Sequence, residues 1–187
     1  MTSRFDLGAT PLAGLLVIRR QPVGDARGHL ERLYCATELA AIAPGQAIVQ
    51  INRTLTVRRG TVRGMHFQRP PHAETKIVSC LRGEVWDVAV DVRAGSPTFL
   101  RWHAQILSAD NHTALAIPAG FAHGFQTLTD HCEMLYFHTA TYHPEAEDAL
   151  NASDPALAIR WPLAITETSP RDAAHPLLNP DFMGVEL

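Results

Sequence analysis

Hydrophobic and polar residues alternate in short segments along most of this chain, and turn residues separate these segments. The clearest segment runs from Val85 to Val92, where Trp86, Val88 and Val90 share one face because strand side chains alternate. Turn-forming residues recur at positions 58–60, 69–71, 82–83, 94–97, 109–111, 118–120 and 129–130. Short strands at this spacing are typical of a β-sandwich or barrel. We therefore predict an all-β fold.

The pattern is weaker towards both ends of the chain. Residues 1–14 mix Gly, Pro, Thr and Ala, which predicts a loose lead-in, and residues 38–42 fit one or two helical turns. After Tyr142 the chain is interrupted by prolines at positions 144, 155, 162, 170, 176 and 180. We expect short peripheral helices there and an extended C-terminal tail that packs on the sandwich.

Composition limits the classes of function. A length of 187 residues fits one domain, residues 1–187, with a sizeable core. A net charge of −3 argues against a nucleic-acid partner but allows an anionic small molecule. Cys35, Cys80 and Cys132 lack motif spacing, which favours reduced thiols in the cytoplasm. We expect no membrane partner, because the chain shows neither a signal-peptide pattern nor a long apolar run.

Two of the ten histidines lie within glycine-bearing motifs, His66 in residues 63–68 and His123 in residues 118–125. The other eight lie in loops or at strand ends and are interpreted as surface or packing residues: His29, His72, His103, His112, His131, His138, His143 and His175. A metal site in a jelly roll would need His-x-His, a downstream Glu and a further His. Residues 66–68 read His-Phe-Gln, one imidazole short, although His123 could supply a third ligand. We predict no metal and no other cofactor.

The remaining polar residues suit proton abstraction next to a carbonyl group. His66 can act as a general base near neutral pH, and Lys76 can stabilise the resulting enolate oxygen. Asp172, Asp87 or Asp91 could orient the imidazole, and spacing alone does not choose among these carboxylates.

Inversion of a carbon also needs a proton donor on the opposite face. Tyr136 and Tyr142 both offer a phenol, although the apolar neighbours of Tyr136 favour a core aromatic. Asp87 and Asp91 share a strand face that could either line a polar cavity or lie in solvent.

These motifs together resemble the dTDP-4-dehydrorhamnose 3,5-epimerase family. The resemblance extends from residues 24–28 to residues 172–178, and its most specific parts are residues 63–68, Lys76, and residues 83–91, 107–111, 117–125 and 159–162. It implies a cupin-like jelly-roll β-sandwich, a homodimer, and a nucleotide-diphosphate 4-keto-6-deoxy sugar as substrate in dTDP-rhamnose biosynthesis. No catalytic metal is implied.

The resemblance also implies roles for individual residues. His66 matches the base, Asp172 its carboxylate partner, Tyr136 the acid on the opposite face and Lys76 the residue beside the C4 oxygen. Substrate contacts are implied for Arg27, Gln50, Asn52, Arg63, His123, Tyr142, Glu147 and Arg171. Arg171 stands where lysine is usual, so the charge is kept but the geometry differs.

Further residues depart from the family pattern. Arg32 stands where glutamate is usual, and Arg53 and Leu55 replace a histidine and a basic residue. Glu31 is shifted by one position, which on a strand turns the side chain to the other face. Because the proton-transfer residues are intact, we expect an epimerase acting at C3, C5 or both. A single-site epimerase with a different nucleotide sugar, a metal-binding cupin and a non-catalytic cupin are the alternatives.

Overall fold

The structure, a computed structural model, describes residues 3–187 and consists mainly of β-strands. Met1 and Thr2, part of the predicted lead-in, lie outside the described residues. Six antiparallel strands form the first sheet, in the spatial order β1 (Phe5–Ala9), β2 (Leu16–Arg20), β10 (Thr113–Ile117), β7 (Lys76–Arg82), β12 (Cys132–His138) and β5 (Gln50–Thr56).

Five antiparallel strands form the second sheet, in the order β13 (Glu147–Ala149), β6 (Val62–Gln68), β11 (Phe121–Thr127), β8 (Glu84–Asp91) and β9 (Trp102–Ser108). A separate exposed hairpin pairs β3 (Val23–Asp25) with β4 (Gly28–Leu30). The assigned helix in residues 3–187 is α1 (Pro170–Ala173). No helix of that described range is long and apolar enough to cross a membrane.

The core follows the predicted alternation along β8. Val85 and Ala89 are buried in the cluster that includes Val78, Leu115 and Phe125 from both sheets. Trp86, Val88 and Val90 point to the other side, where the C-terminal segment covers the second sheet with residues such as Leu157, Trp161 and Val185. The predicted extended tail therefore has an apolar face that excludes water from the outside of this sheet.

The two aspartates of β8 are buried, which rules out the solvated alternative. Asp91 accepts hydrogen bonds from Arg93, Ser96 and Thr98 at the strand end. Burial alone would raise its pKa, but these hydrogen bonds outweigh burial and lower the pKa to about 2. Asp91 is thus a structural residue, whereas Asp87 faces His123.

One prediction near the N-terminus, the loose lead-in, was wrong, whereas turns do form at residues 38–42. Residues 5–9 of the predicted lead-in form strand β1, paired with β2, because β2 offers a free edge to this segment. Residues 38–42 form hydrogen-bonded turns rather than an assigned helix, with Leu39 donating to the Cys35 carbonyl and Ile42 to the Leu39 carbonyl. Leu39 packs on the outer face of the first sheet, and this contact anchors the segment.

Candidate active site

A cavity of about 1020 Å³ lies between the two large sheets. This volume is at the upper end of the range for small-molecule sites, about 300–1,000 Å³. Strands β5, β7 and β12 form one wall, and strands β6, β11 and β13 form the other. The cavity therefore receives side chains from both sheets, with the C-terminal segment at its rim.

Eleven of the twelve predicted site residues line this cavity. The first sheet supplies Gln50, Asn52, Lys76 and Tyr136, the second supplies Arg63, His66, His123 and Glu147, and the connecting and C-terminal segments supply Tyr142, Arg171 and Asp172. The exception is Arg27, which lies on the exposed hairpin and pairs with Asp25 at 2.5 Å.

A bulge in β6 brings Arg63 and His66 to the same wall. Residues three apart on a regular strand would face opposite sides. Here His66 pairs with His123 and Arg63 with Phe125, so β6 has one extra residue between these pairs. Gly64 occupies the bulge at a φ of 131°, where an added Cβ would lie 2.5 Å from the Gly124 Cα. Glycine is needed there because the two backbones approach closely.

His66 is oriented by Asp172 from the C-terminal segment. Its Nε2 donates to Asp172 Oδ1 at 2.9 Å, which leaves the lone pair on Nδ1 as the basic site. Asp172 lies in α1, which Ser169 caps by accepting from the Asp172 backbone N–H. The backbone N–H of Gly64 also donates to this carboxylate, at 3.4 Å. The carboxylate is therefore held in place from two elements.

The environment of His66 favours its neutral form. Burial lowers the pKa of His66, and the guanidinium of Arg171, 3.3 Å from Nε2, lowers it further. Asp172 opposes both effects but does not cancel them. The pKa of Asp172 is also lowered, because hydrogen bonds from His66 and Gly64 outweigh the effect of its burial. The pair thus combines a neutral imidazole with an ionised carboxylate.

Lys76 reaches from the first sheet towards His66. Its ammonium lies 3.1 Å from Glu74 Oε1 and donates to the His66 backbone carbonyl at 3.4 Å. Lys76 is the single lysine in the sequence, and its side chain is largely buried. A cation held at the cavity wall can stabilise negative charge that develops on a bound oxygen.

Tyr136 lies on the wall opposite His66. Burial raises the pKa of its phenol, and the charge of Asp87 raises it further, so the group stays protonated and can donate a proton. Its ring lies edge-on to His123, with 6.1 Å between centroids, and stacks beside His138. His123 Nε2 in turn bonds to Asp87 at 2.9 Å.

Polar contacts tie the rim of the cavity together. Glu147 accepts from the Tyr142 hydroxyl at 2.7 Å and from Arg171 at 2.8 Å. Gln50 accepts from the Tyr142 backbone N–H at 3.0 Å. These contacts hold the Tyr142 loop and the C-terminal segment over the same opening.

The residues that depart from the family pattern differ in whether they line the cavity. Arg32 pairs with Glu38, and Arg53 pairs with Glu133 at 2.6 Å, and neither arginine lines the cavity. Glu31 is bound by Arg20 at 2.8 Å, also outside the cavity. Leu55 and Arg171 do line the cavity, so these two departures can affect a ligand directly.

Sequence reasoning missed two buried residues of the site. His138 was interpreted as a surface or packing residue, but it lines the cavity and bonds to Glu74 at 2.9 Å. Glu74 was not identified at all. For His138 the signal was present in the strand period, because it lies two residues after Tyr136 on β12, whereas Glu74 precedes β7 and offered no such signal.

The cavity histidines do not form a metal-ligand cluster with neighbouring carboxylates. Within residues 3–187, three-residue groups with suitable spacing are His29–Glu31–His112 and His72–His143–Glu145. Both lie away from His66 and His123, which each bond to a single carboxylate instead.

Comparison with known proteins identifies the family. The family model described as dTDP-4-dehydrorhamnose 3,5-epimerase matches residues 9–180. The chain belongs to this family. A dTDP-4-dehydrorhamnose 3,5-epimerase from Sinorhizobium fredii is 41% identical over 168 residues, which cover 89% of this chain and 86% of that protein.

Two solved structures of the epimerase family show similar folds. The enzyme from Legionella pneumophila, in complex with dTDP-4-keto-L-rhamnose, is 39% identical, with a TM-score of 0.88 and coverage of 92% of both chains. A 3'-monoepimerase from Streptomyces bikiniensis, in complex with dTDP-quinovose, is 34% identical, with a TM-score of 0.80 and coverage of 90% of this chain and 85% of that one. The fold is the cupin-like jelly roll of these epimerases, as predicted.

Asp172→Asn is expected to lower the pKa of His66 further. The neutral amide removes the charge that favours the imidazolium, whereas burial and Arg171 still oppose it. NMR titration of the histidine C2–H signals measures this, with His66 assigned by the loss of its signal in His66→Asn. Asp110→Asn, in an exposed turn, is the control. An unchanged or higher midpoint for His66 would contradict the described electrostatics.

Proposed function

We propose that this protein epimerises dTDP-4-keto-6-deoxy sugars at C3, C5 or both, most directly converting dTDP-4-dehydro-6-deoxyglucose to dTDP-4-dehydro-L-rhamnose. The observation that carries this proposal is the placement of a neutral His66 and a protonated Tyr136 on opposite walls of one cavity. Inversion of a carbon requires a base on one face of the sugar and an acid on the other.

The proposed reaction begins when His66 removes the proton from a carbon next to the C4 carbonyl. The electrons of the C–H bond form a double bond to C4, the π electrons of the carbonyl group move to its oxygen, and Lys76 stabilises the resulting enolate. Tyr136 then gives a proton to the same carbon from the opposite face. Both C3 and C5 flank C4, so one set of groups can act on each carbon after the sugar has reoriented. Each inversion leaves an imidazolium and a phenolate, which must return to their starting states by proton exchange with solvent.

The other lining residues would hold the nucleotide sugar. Arg63 provides a cation at the cavity for the diphosphate or the sugar, and its Nε donates to Thr56 at 2.9 Å. Arg171 provides a second cation, bound to Glu147. Gln50, Asn52 and His123 add polar contacts within the same lining. A cytoplasmic location belongs to the proposal and is supported by the free thiols of the three cysteines.

A single-site epimerase is the second candidate. Leu55 supports it, because an apolar side chain lines the cavity where the family usually has a basic residue. The similarity to a 3'-monoepimerase supports it as well, since closely related folds occur in enzymes of both kinds. The two candidates differ in which carbons exchange their protons with solvent.

His66→Ala and Tyr136→Phe are expected to fail in different ways. Loss of the base should reduce solvent exchange at carbon by about 10²–10⁴-fold, the usual contribution of general base catalysis. Loss of the phenol should leave exchange at one carbon while blocking its inversion. NMR of the ketosugar in D₂O measures exchange, and coupling constants of the product report inversion. His131→Asn, at an exposed turn, is the control. Equal and complete loss of exchange in both variants would contradict the division of roles.

We also propose that the protein acts as a homodimer in which Arg27 contacts substrate in the partner's cavity. Arg27 matches a substrate contact of the family but lies outside its own cavity, on a hairpin whose strands are exposed. Edge strand β5 supports association, because Ile51 on this strand and Val49 just before it are about half exposed and lie outside the cavity lining. A second copy would cover these apolar side chains.

Mixing Arg27→Ala with His66→Ala is expected to restore activity at low substrate concentration. A mixed dimer has one cavity that combines His66 of one chain with Arg27 of the other, whereas neither parent dimer has such a cavity. The mixture is refolded together and assayed for exchange below the substrate concentration that saturates the wild type. Sedimentation equilibrium confirms that dimers are present. If dimers form and the mixture is no more active than the Arg27→Ala protein, then Arg27 does not act across the interface.

A further inference from the structure

Along the cavity wall formed by the first sheet, a chain of polar contacts connects Lys76 to Asn52 through Glu74 and His138. Glu74 Oε1 binds the Lys76 ammonium at 3.1 Å, and Glu74 Oε2 accepts from His138 Nδ1 at 2.9 Å. His138 Nε2 lies 3.4 Å from the Asn52 amide nitrogen, which can only donate. Both oxygens of the Glu74 carboxylate are therefore occupied, one by Lys76 and the other by His138.

Burial of these polar and charged side chains costs free energy unless each one keeps its hydrogen-bond or ion-pair partner. The side chains of Glu74, Lys76 and His138 are only 7–11% exposed. Burial alone would raise the pKa of Glu74, but the hydrogen bond from His138 and the charge of Lys76 outweigh it and lower the pKa. An ionised carboxylate thus stays beside the ammonium. A buried ion pair is seldom a net source of stability, so a functional reason for this one is worth testing.

The geometry limits where the Lys76 ammonium can lie. Glu74 binds it from the segment just before β7, and the His66 backbone carbonyl binds it from the second sheet. His138 fixes Glu74 in turn, and its ring stacks beside Tyr136 with 6.0 Å between centroids at 17°. One chain of contacts therefore sets the position of Lys76 relative to both the base and the acid.

We propose that Glu74 and His138 are positioning residues that hold the Lys76 ammonium at the site of the developing enolate oxygen. This inference rests on the proposed function, because the role of Lys76 comes from it. Neither residue touches the reacting carbon. Their contribution is the orientation of Lys76, and a displacement of about 1 Å in such a group can reduce a rate by about 10²-fold.

Glu74→Gln is the first test, because the amide keeps the shape of the side chain and removes its charge. We expect kcat to fall by about 10–100-fold while KM changes less than about twofold. Glu133→Gln is the matched control, since Glu133 belongs to an ion pair with Arg53 outside the cavity. In a Lys76→Ala background, Glu74→Gln should have little further effect, because the residue it positions is absent. Additive losses in the double variant would overturn the proposal.

The single lysine allows a spectroscopic test that does not depend on turnover. In protein labelled with ¹⁵N-lysine, one side-chain ammonium signal reports Lys76 alone. Its protons should exchange slowly in the wild type and in Glu133→Gln, because they are hydrogen-bonded and buried. In Glu74→Gln the signal should broaden through faster exchange with water. An unchanged signal in Glu74→Gln would overturn the positioning role.

His138 variants keep the proposal testable if Glu74→Gln does not fold. His138→Leu removes the hydrogen bond to Glu74 Oε2 but keeps the Glu74–Lys76 ion pair, and it should reduce kcat and broaden the Lys76 signal. His138→Asn restores a hydrogen-bond donor near the position of Nδ1. This variant should recover most of the lost kcat and most of the sharpness of the Lys76 signal. Equal behaviour of the two variants would contradict the proposal. A wild type that does not exchange ketosugar protons would refute the proposed function, and the Lys76 signal would still decide whether Glu74 and His138 position the ammonium.

Discussion

The close approach of β6 and β11 at Gly64 and Gly124 is the constraint on which the site depends. A Cβ at Gly64 would lie 2.5 Å from the Gly124 Cα, and a Cβ at Gly124 would lie 2.5 Å from the Met65 sulfur. The bulge formed there turns both Arg63 and His66 into the cavity. It also presents the Gly64 N–H to Asp172, so the same local geometry aims the base and helps to hold its carboxylate partner.

The sandwich architecture separates the two halves of the proton chemistry. The second sheet carries His66, and the first sheet carries Tyr136 and Lys76. Each half has its own electrostatic environment, in which burial keeps the imidazole neutral and the phenol protonated. Each of these cavity histidines contacts a buried carboxylate: His66 contacts Asp172, His123 contacts Asp87 and His138 contacts Glu74. A jelly roll can thus place acid, base and cation around one ligand without drawing them from a single segment.

The strand period predicted much of the fold, and its failures have physical causes. The two faces of β8 were correct because neither face is interrupted by a bulge. The common orientation of Arg63 and His66 could not follow from a period of two, since one inserted residue reverses the alternation. Strand β1 was not predicted from residues 5–9 alone. It forms through backbone pairing with β2, which lies in a separate segment.

Long-range contacts explain why the remaining features of the site could not be predicted from local sequence. The choice of Asp172 as partner of His66 came from the family resemblance, because a contact between residues 106 positions apart leaves no local trace. His138 and Glu74 were missed because their importance lies in a contact between separate segments. Arg27 matches the family motif, yet it lies on an exposed hairpin outside the cavity lining, so a motif match alone does not place a residue in the cavity.

The most direct test of the account is proton NMR of dTDP-4-keto-6-deoxyglucose incubated with the wild-type protein in D₂O, without a reductase. The account predicts that the H3 signal, the H5 signal or both disappear as deuterium enters from solvent, because His66 removes these protons and exchanges them with water. Loss at both positions identifies a 3,5-epimerase, and loss at one identifies a single-site enzyme. Unchanged signals at both positions, with the ketosugar bound, would contradict the central claim.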